Sequence, residues 1–373
     1  MQVCAQDVEL ARVILNHSLS IKKEEKVLIT ASNSGAFPLV KAVYVETLRL
    51  GAYPLLDTEL DTRVGRMSYS GLTYQFLKNA NEWQINHVPE EIIKAKLNWA
   101  DAYVRIVSDD NTKELANIDP DKISTRARLL RPLMDPMIDS DRWVLTYYPT
   151  PGMAQEAGMS LDELSEFYFR ACLVDYKKME RELKALEKIM DKGSEIRVIG
   201  KETDLTVNVK GRLAQACFGE RNIPDGECFL APVTDGVEGE VFFDLPTLAY
   251  GQEVAGIHLE FKSGKVVNAA AKRGESALLK MLATDEGARY LGEFAIGANY
   301  MIKNAMLNTL FDEKIGGTIH MALGRAYREK RGGGENESAI HWDIVKDMRL
   351  PGSVLFIDGT EVLREGKLLL GGR

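Results

Sequence analysis

The chain has 373 residues and a mass of 41.6 kDa, with 45% hydrophobic and 27% charged residues, the balance of a soluble globular protein with material for a core. Lys and Arg total 47 against 55 Asp and Glu, so the formal charge is −8 and the pI near 5.4, which argues against nucleic acid as a partner. No stretch approaches the ~18 apolar residues of a membrane span, so no membrane partner is expected, and MQVCAQDVEL has no basic segment leading an apolar run, so no secretory leader is expected.

In chain order, residues 6–19 carry Val8, Ala11, Val13, Ile14 and Leu15 at helical spacing. KVLITA (26–31) is a short apolar run of the kind that forms a buried parallel strand. Residues 35–51 read as a helix stopped by Gly51, and 52–60 as the next strand. Residues 90–100 are helical, and 101–109 and 143–150 are strands. This alternation predicts a mostly parallel sheet covered by helices. Residues 151–193 are largely helical, with Ser160 and Glu163 placed as a capping box. The charged stretch ending this region reads as a solvated helix bridging two domains. The predicted division is an N-terminal α/β domain, 1–190, and a C-terminal α/β domain with a mixed sheet, 191–373.

The second half changes character. EIRVIG, DLTVNVKGR, VFFDLP and GIHLEFKSGKVV alternate with Gly and Asp turns, predicting an antiparallel or mixed sheet. Residues 276–297 read as a helix, and 353–370 as short strands about Asp358-Gly359 and Glu365-Gly366 turns. RGGGENES (331–338) reads as a flexible loop. There is no P-loop, no GxGxxG and no GxSxG. Cys4, Cys172, Cys217 and Cys228 form no CxxC pair and are expected as free thiols in a reducing cytoplasm.

The chemically informative residues lie between 222 and 343. His341 and Asp343 stand two apart, which on a strand puts imidazole and carboxylate on one face, a pairing suited to a divalent metal. His320 sits in GGTIHMALGRAY, where Ala322 and Gly324 leave room beside it and Tyr327 offers a phenol donor. Glu227 follows the Pro224-Asp225-Gly226 turn, which would position it; an exposed turn residue is the plainer alternative. Glu293 is an isolated charge in an apolar segment and calls for a partner or a function; Arg289 on the same helix is one candidate partner. His258 reads as structural, and His17 and His87 as surface or packing residues.

Taken together, NIPDGE (222–227), LGEFAIG (291–297), GTIHMALGRAY (317–327) and SAIHWD (338–343) resemble the signature of the thermophilic metallo-aminopeptidase family, the group of aminopeptidases T and S. The resemblance extends over most of the second half, with Ile223 and Cys228 as local departures at positions that are not ligands. It implies a dinuclear metal site with Glu227, Glu293, His320, His341 and Asp343 as ligands, Tyr327 as a catalytic side chain, and a homodimer. The implied activity is removal of N-terminal residues from peptides with a free N-terminus.

Five ligand residues suffice for two metals if one carboxylate bridges, and Glu293 is the expected bridge, with a catalytic part in consequence. Two divalent ions (Zn, Co or Mn) would activate a water, polarise the scissile carbonyl and bind the free α-amine, while Tyr327 donates to the oxyanion. The alternative is a mononuclear non-haem Fe(II) ring-cleaving dioxygenase using His320, His341 and Asp343. Glu227 and Glu293 favour hydrolysis, because an iron triad does not need them.

Overall fold

The computed structural model describes residues 2–31, 34–57, 71–108, 110–111, 113–115 and 117–370. The chain forms two compact units: residues up to Leu173 with Gly219–Pro224, and Val174–Phe218 with everything from Asp225 onward. The sequence division near 190 differs from this in two places. Helix Tyr176–Met190 belongs to the second unit, where it buries Tyr176, Met179, Leu183, Leu186 and Met190 as one stripe at helical spacing. Its charged residues hide that stripe, which is why it reads as a solvated bridge. The segment Gly219–Pro224 returns to the first unit.

The first unit is α/β. Its five strands run in the order Tyr53–Asp57, Lys26–Ala31, Ala102–Val107, Trp143–Tyr147 and Asn222–Ile223, every pair parallel. KVLITA pairs on both sides and buries Val27, Leu28 and Ile29 in succession, so its apolar run is unbroken. The predicted helices are present as Ala5–Arg12, Phe37–Arg49, Glu90–Trp99 and Leu161–Cys172. Ser160 and Glu163 form the expected reciprocal cap, at 3.2 and 2.8 Å. Residues 58–60, the end of one predicted strand, and 109, the end of another, lie outside the described residues.

Sequence reasoning missed helix Pro120–Asp139, which contains Pro132 and Pro136. Interior prolines argue locally against a helix. Burial outweighs them: Leu130, Leu133 and Met134 pack with Leu28, Ile93 and Leu97 in one cluster. Truncating any one of these leucines would cost about 2–5 kcal/mol.

The second unit is built on two sheets, antiparallel in every strand pair, with an isolated parallel bridge between Asn299 and Ile315. One has nine strands and ends in the hairpins of residues 354–368, where Asp358-Gly359 and Glu365-Gly366 all take positive φ as such turns require. The other has five strands and carries the site.

Two expectations are corrected here. Residues 276–297 are not one helix; helix Glu275–Leu282 is followed by strand Leu291–Gly297, so Glu293 is a strand residue and not a helical neighbour of Arg289. All seven residues of that strand are buried, and burial on both faces erases the alternation that marks a strand. Residues 331–338 are not a flexible loop. Arg331 pairs with Asp191 at 2.7 Å, Gly332 N–H donates to Leu213 O at 2.7 Å, and Arg212 pairs with Glu335. No helix among the described residues is long and apolar enough to cross a membrane. The four cysteines are free thiols.

Candidate metal centre

The strands of the site sheet run in the order His341–Asp347, Thr318–Gly324, Leu291–Gly297, Glu227–Leu230 and Gln215–Cys217. Alternation puts His341 and Asp343, His320 and Ala322, and Glu293 and Ala295 on common faces of their strands. Ala322 stands opposite both Glu293 and Asp343, Ala295 stands opposite His320, and Gly297 stands opposite Glu227. Alanine and glycine therefore separate the polar groups across the sheet. A register shift between Leu291 and Glu293 re-aims the glutamate. Glycine is required at 292, where a Cβ would collide with the Gly324 carbonyl. Glu227 opens its strand directly after the Asp225-Gly226 turn, in which Gly226 N–H donates to Asp225 Oδ1 at 2.9 Å.

All five residues picked from the sequence converge. Glu227, Glu293 and His320 place ligand atoms within 4.8 Å of one another, and so do Glu293, His341 and Asp343. Glu293 belongs to both groups. Its Oε1 is 3.0 Å from His320 Nε2 and its Oε2 is 3.6 Å from His341 Nε2. Glu227 Oε2 faces His320 Nε2 at 3.3 Å, and Asp343 Oδ1 faces His341 Nε2 at 3.6 Å. His341 Nδ1–H donates to the Arg325 carbonyl at 2.7 Å, which leaves the Nε2 lone pair aimed at the carboxylates.

The donor set fits a divalent cation. Among the described residues, Glu227 Oε2 and Asp343 Oδ1 are buried and make no hydrogen bond. Buried polar atoms are ordinarily satisfied, so orphans clustered at a set of imidazoles and carboxylates mark a place for a ligand outside the chain. Burial alone would lower the pKa of His320, but its bond to Glu293 and the charges of Glu227 and Asp343 raise it to about 9. Burial raises Asp343, against the pull of His341.

Two participants escaped the sequence reading. Lys314 is 1% exposed, with its ammonium against Glu227 Oε1, 2.9 Å from Glu313 Oε1 and 3.8 Å from Asp225 Oδ1. Burial would strip its proton, but these three carboxylates hold its pKa well above the ordinary lysine value. Glu313 also places a carboxylate oxygen within 4.8 Å of ligand atoms of His320 and Asp343. In sequence, Glu313-Lys314 looks like any exposed charge pair, and no local signal separates it from one.

Tyr327 lies just beyond strand Thr318–Gly324. Its ring is 5.1 Å from the His341 ring and 5.5 Å from that of Phe229, and the residue is 43% exposed. Gly334 N–H donates to the Tyr327 carbonyl at 2.9 Å, so the glycine run supports this tyrosine. His258 pairs with Glu240 at 3.2 Å in the other sheet, and His87 stacks on Trp83. Neither joins the cluster.

Comparison with known proteins gives the family of the chain. Aminopeptidase T of Thermus thermophilus is 29% identical over an alignment that covers 96% of this chain and 97% of that protein. Aminopeptidase AmpS of Bacillus subtilis is 26% identical over 92% of this chain and 93% of that one. The solved structure of AmpT from Thermus thermophilus superposes with a TM-score of 0.81 at 26% identity, covering 98% and 99% of the two chains. That of 2,5-dihydroxypyridine dioxygenase from Pseudomonas putida KT2440 superposes at 0.64 with 15% identity over 98% and 97%, a likeness of fold alone. The class defined is a metal-dependent peptidase. The chain belongs to the thermophilic metalloprotease family M29, whose pattern matches residues 6–367.

Proposed function

We propose that this protein removes N-terminal residues from peptides with a free N-terminus at a site holding two divalent cations, with Glu227, Glu293, His320, His341 and Asp343 as ligands. The observation that carries this reading is the position of Glu293, one carboxylate oxygen toward each imidazole. That is the disposition of a shared ligand. Lys314 occupies Glu227 Oε1, so Glu227 offers Oε2 alone and acts as a terminal ligand. Zinc, cobalt and manganese all suit this mixed nitrogen and oxygen set. Cations bound there supply charge to polarise a carbonyl and to bring a water's pKa near neutrality.

The chain's own residues do the rest. His341, locked by the Arg325 carbonyl, keeps its Nε2 toward Glu293 and Asp343. Tyr327, braced between Phe229 and His341, donates its phenol proton to the carbonyl oxygen as negative charge develops there, a role worth a few kcal/mol for one such donor. A homodimer in the cytoplasm belongs to the same reading. A mononuclear iron site of His320, His341 and Asp343 would leave Glu227 and Glu293, both buried among those residues, without a task.

The test is metal analysis of the purified protein, followed by a panel of aminoacyl anilides before and after chelation and with each metal restored. Close to two ions per chain and activity that returns with metal are expected. One iron per chain without a second ion, or equal cleavage of N-acetylated and free leucine anilide, would overturn the proposal.

A further inference from the structure

Strands Thr318–Gly324 and His341–Asp347 pair antiparallel with Gly324 opposite His341, and residues 325–340 connect them. Such a pair can be joined by about two to five residues. This connection is far longer, and it carries Tyr327. It stays in one conformation only where contacts offset the entropy of ordering it.

Those contacts lie at two places. At the base, buried Asn336 donates from Nδ2 to Gly324 O at 2.6 Å and to Gly287 O at 2.9 Å, and its carbonyl accepts from Ala326 N–H at 2.9 Å. At the tip, Arg331 Nη2 donates to Asp191 Oδ2 at 2.7 Å, and its Nε stands 3.5 Å from Glu187 Oε1. These two acids lie one turn apart at the C-terminal end of helix Tyr176–Met190, where the helix dipole also favours a cation. They hold the edge of the site sheet as well: Asp191 Oδ1 accepts from Ala214 N–H at 2.8 Å and Glu187 Oε1 from Ala216 N–H at 3.0 Å. Between those alanines, Gln215 stands opposite Phe229. One set of charges therefore fastens helix, edge strand and loop tip together.

From the tip the contacts run on to Tyr327. Gly332 N–H donates to Leu213 O at 2.7 Å. Gly332 has φ +74° and comes so close to Phe229 that a Cβ there would fall 2.3 Å from the ring. The Phe229 ring packs on Tyr327 at 5.5 Å, and Tyr327 on His341 at 5.1 Å.

We infer that Arg331 is a positioning residue: its grip on Asp191 and Glu187 fixes the loop tip, and through Gly332 and Phe229 it fixes where the Tyr327 phenol stands beside His341. The inference rests on the reading of Tyr327 as the oxyanion donor. The Arg331 side chain is 35% exposed, and an ion pair so open to water adds little to stability. Glu187 also keeps Lys184 at 3.1 Å when Arg331 is gone. Catalysis asks more of the same contact. A donor serves only at about 2.7–3.1 Å from the oxyanion, and a displacement of about 1 Å can cost about 10²-fold in rate.

The experiment uses the metal-loaded enzyme and leucine anilide. Arg331→Met keeps the length of the side chain and removes its charge. It should lower kcat about tenfold with KM within about twofold, while metal content and urea midpoint stay close to wild type. Asp191→Asn keeps an acceptor for Ala214 N–H, removes the charge that Arg331 meets, and should lower kcat to a similar extent. Each substitution is then placed in the Tyr327→Phe background, where the phenol is already gone. There neither should lower kcat further by more than about twofold. Losses that multiply, an unchanged kcat in Arg331→Met, or a loss of metal that accounts for the fall would each overturn the inference. Full kcat in Tyr327→Phe would overturn the reading of Tyr327 and the inference with it. Failure of the aminopeptidase reading is seen apart from these, in wild type alone, as equal cleavage of N-acetylated and free leucine anilide.

Discussion

Lys314 and Glu227 form an ion pair sealed from solvent, in which the ammonium takes Oε1 and turns Oε2 toward His320 at 3.3 Å. This one contact both orients a candidate ligand and offsets part of the charge of a crowded acidic cluster. Replacing the lysine by methionine keeps the length of the side chain and removes the cation. Three carboxylates, Glu227, Glu313 and Asp225, then lose their shared partner. The metal-free Lys314→Met protein should lose about 3 kcal/mol of stability, the scale for breaking a buried pair from one side. Added zinc or cobalt should recover more stability in the variant than in wild type, because a bound cation supplies the missing charge. Urea melts with and without metal decide this; an equal metal response in both proteins would refute it.

Glu293 touches both imidazoles, so its loss should be felt at both. Glu293→Ala is expected to abolish leucine anilide hydrolysis and to reduce bound metal, with the circular dichroism spectrum unchanged. Its strand is held by backbone pairing to neighbours on either side, which the substitution leaves intact. Activity retained in this variant would remove Glu293 from the site.

Tyr327→Phe keeps the ring packing on Phe229 and His341 and deletes the hydroxyl alone. A donor that acts chiefly in the transition state should cost about 10²–10³ in kcat, with KM altered far less. Steady-state kinetics on leucine anilide measure the split, and a change confined to KM contradicts the oxyanion role.

In the first unit, Arg142 grips Glu25 with both terminal nitrogens, at 2.7 and 2.9 Å, and also donates to the Leu19 carbonyl at 3.0 Å. The Arg142 hydrogen bonds hold the Glu25 carboxyl below the usual glutamate range. A depressed folded-state pKa adds stability that is present above the unfolded value, about 4.3, and is lost as pH falls through the folded value. Glu25→Gln should therefore cost about 1 kcal/mol at neutral pH, with the gap closing below about pH 4. Urea midpoints of both proteins at pH 7 and pH 3 test the sign; a gap that widens in acid would show the pair has been misread.

The legible parts of the molecule were those whose cause is local. KVLITA reads as a buried strand because the run itself is apolar, and Ser160 with Glu163 reads as a cap because the two side chains answer each other within one turn. His341 and Asp343 were legible as a pair because strand alternation acts over two residues. Glu293 stands out in the sequence by its isolation yet reads as helical, since a strand buried on both faces shows no alternation. The helix with Pro132 and Pro136 was missed because its support comes from Leu28 and Leu97, distant in sequence.

By itself the sequence determined the α/β alternation of the first half, the ligand-type residues and their order along the chain, and the likeness to a metalloprotease family. These follow from residue chemistry and near-neighbour spacing. Only the tertiary structure decided that Glu293 stands between two imidazoles and that Lys314 is buried against Glu227. Those relations join residues on separate strands and loops, and they arise from sheet register and the exclusion of water, which no short stretch of chain encodes.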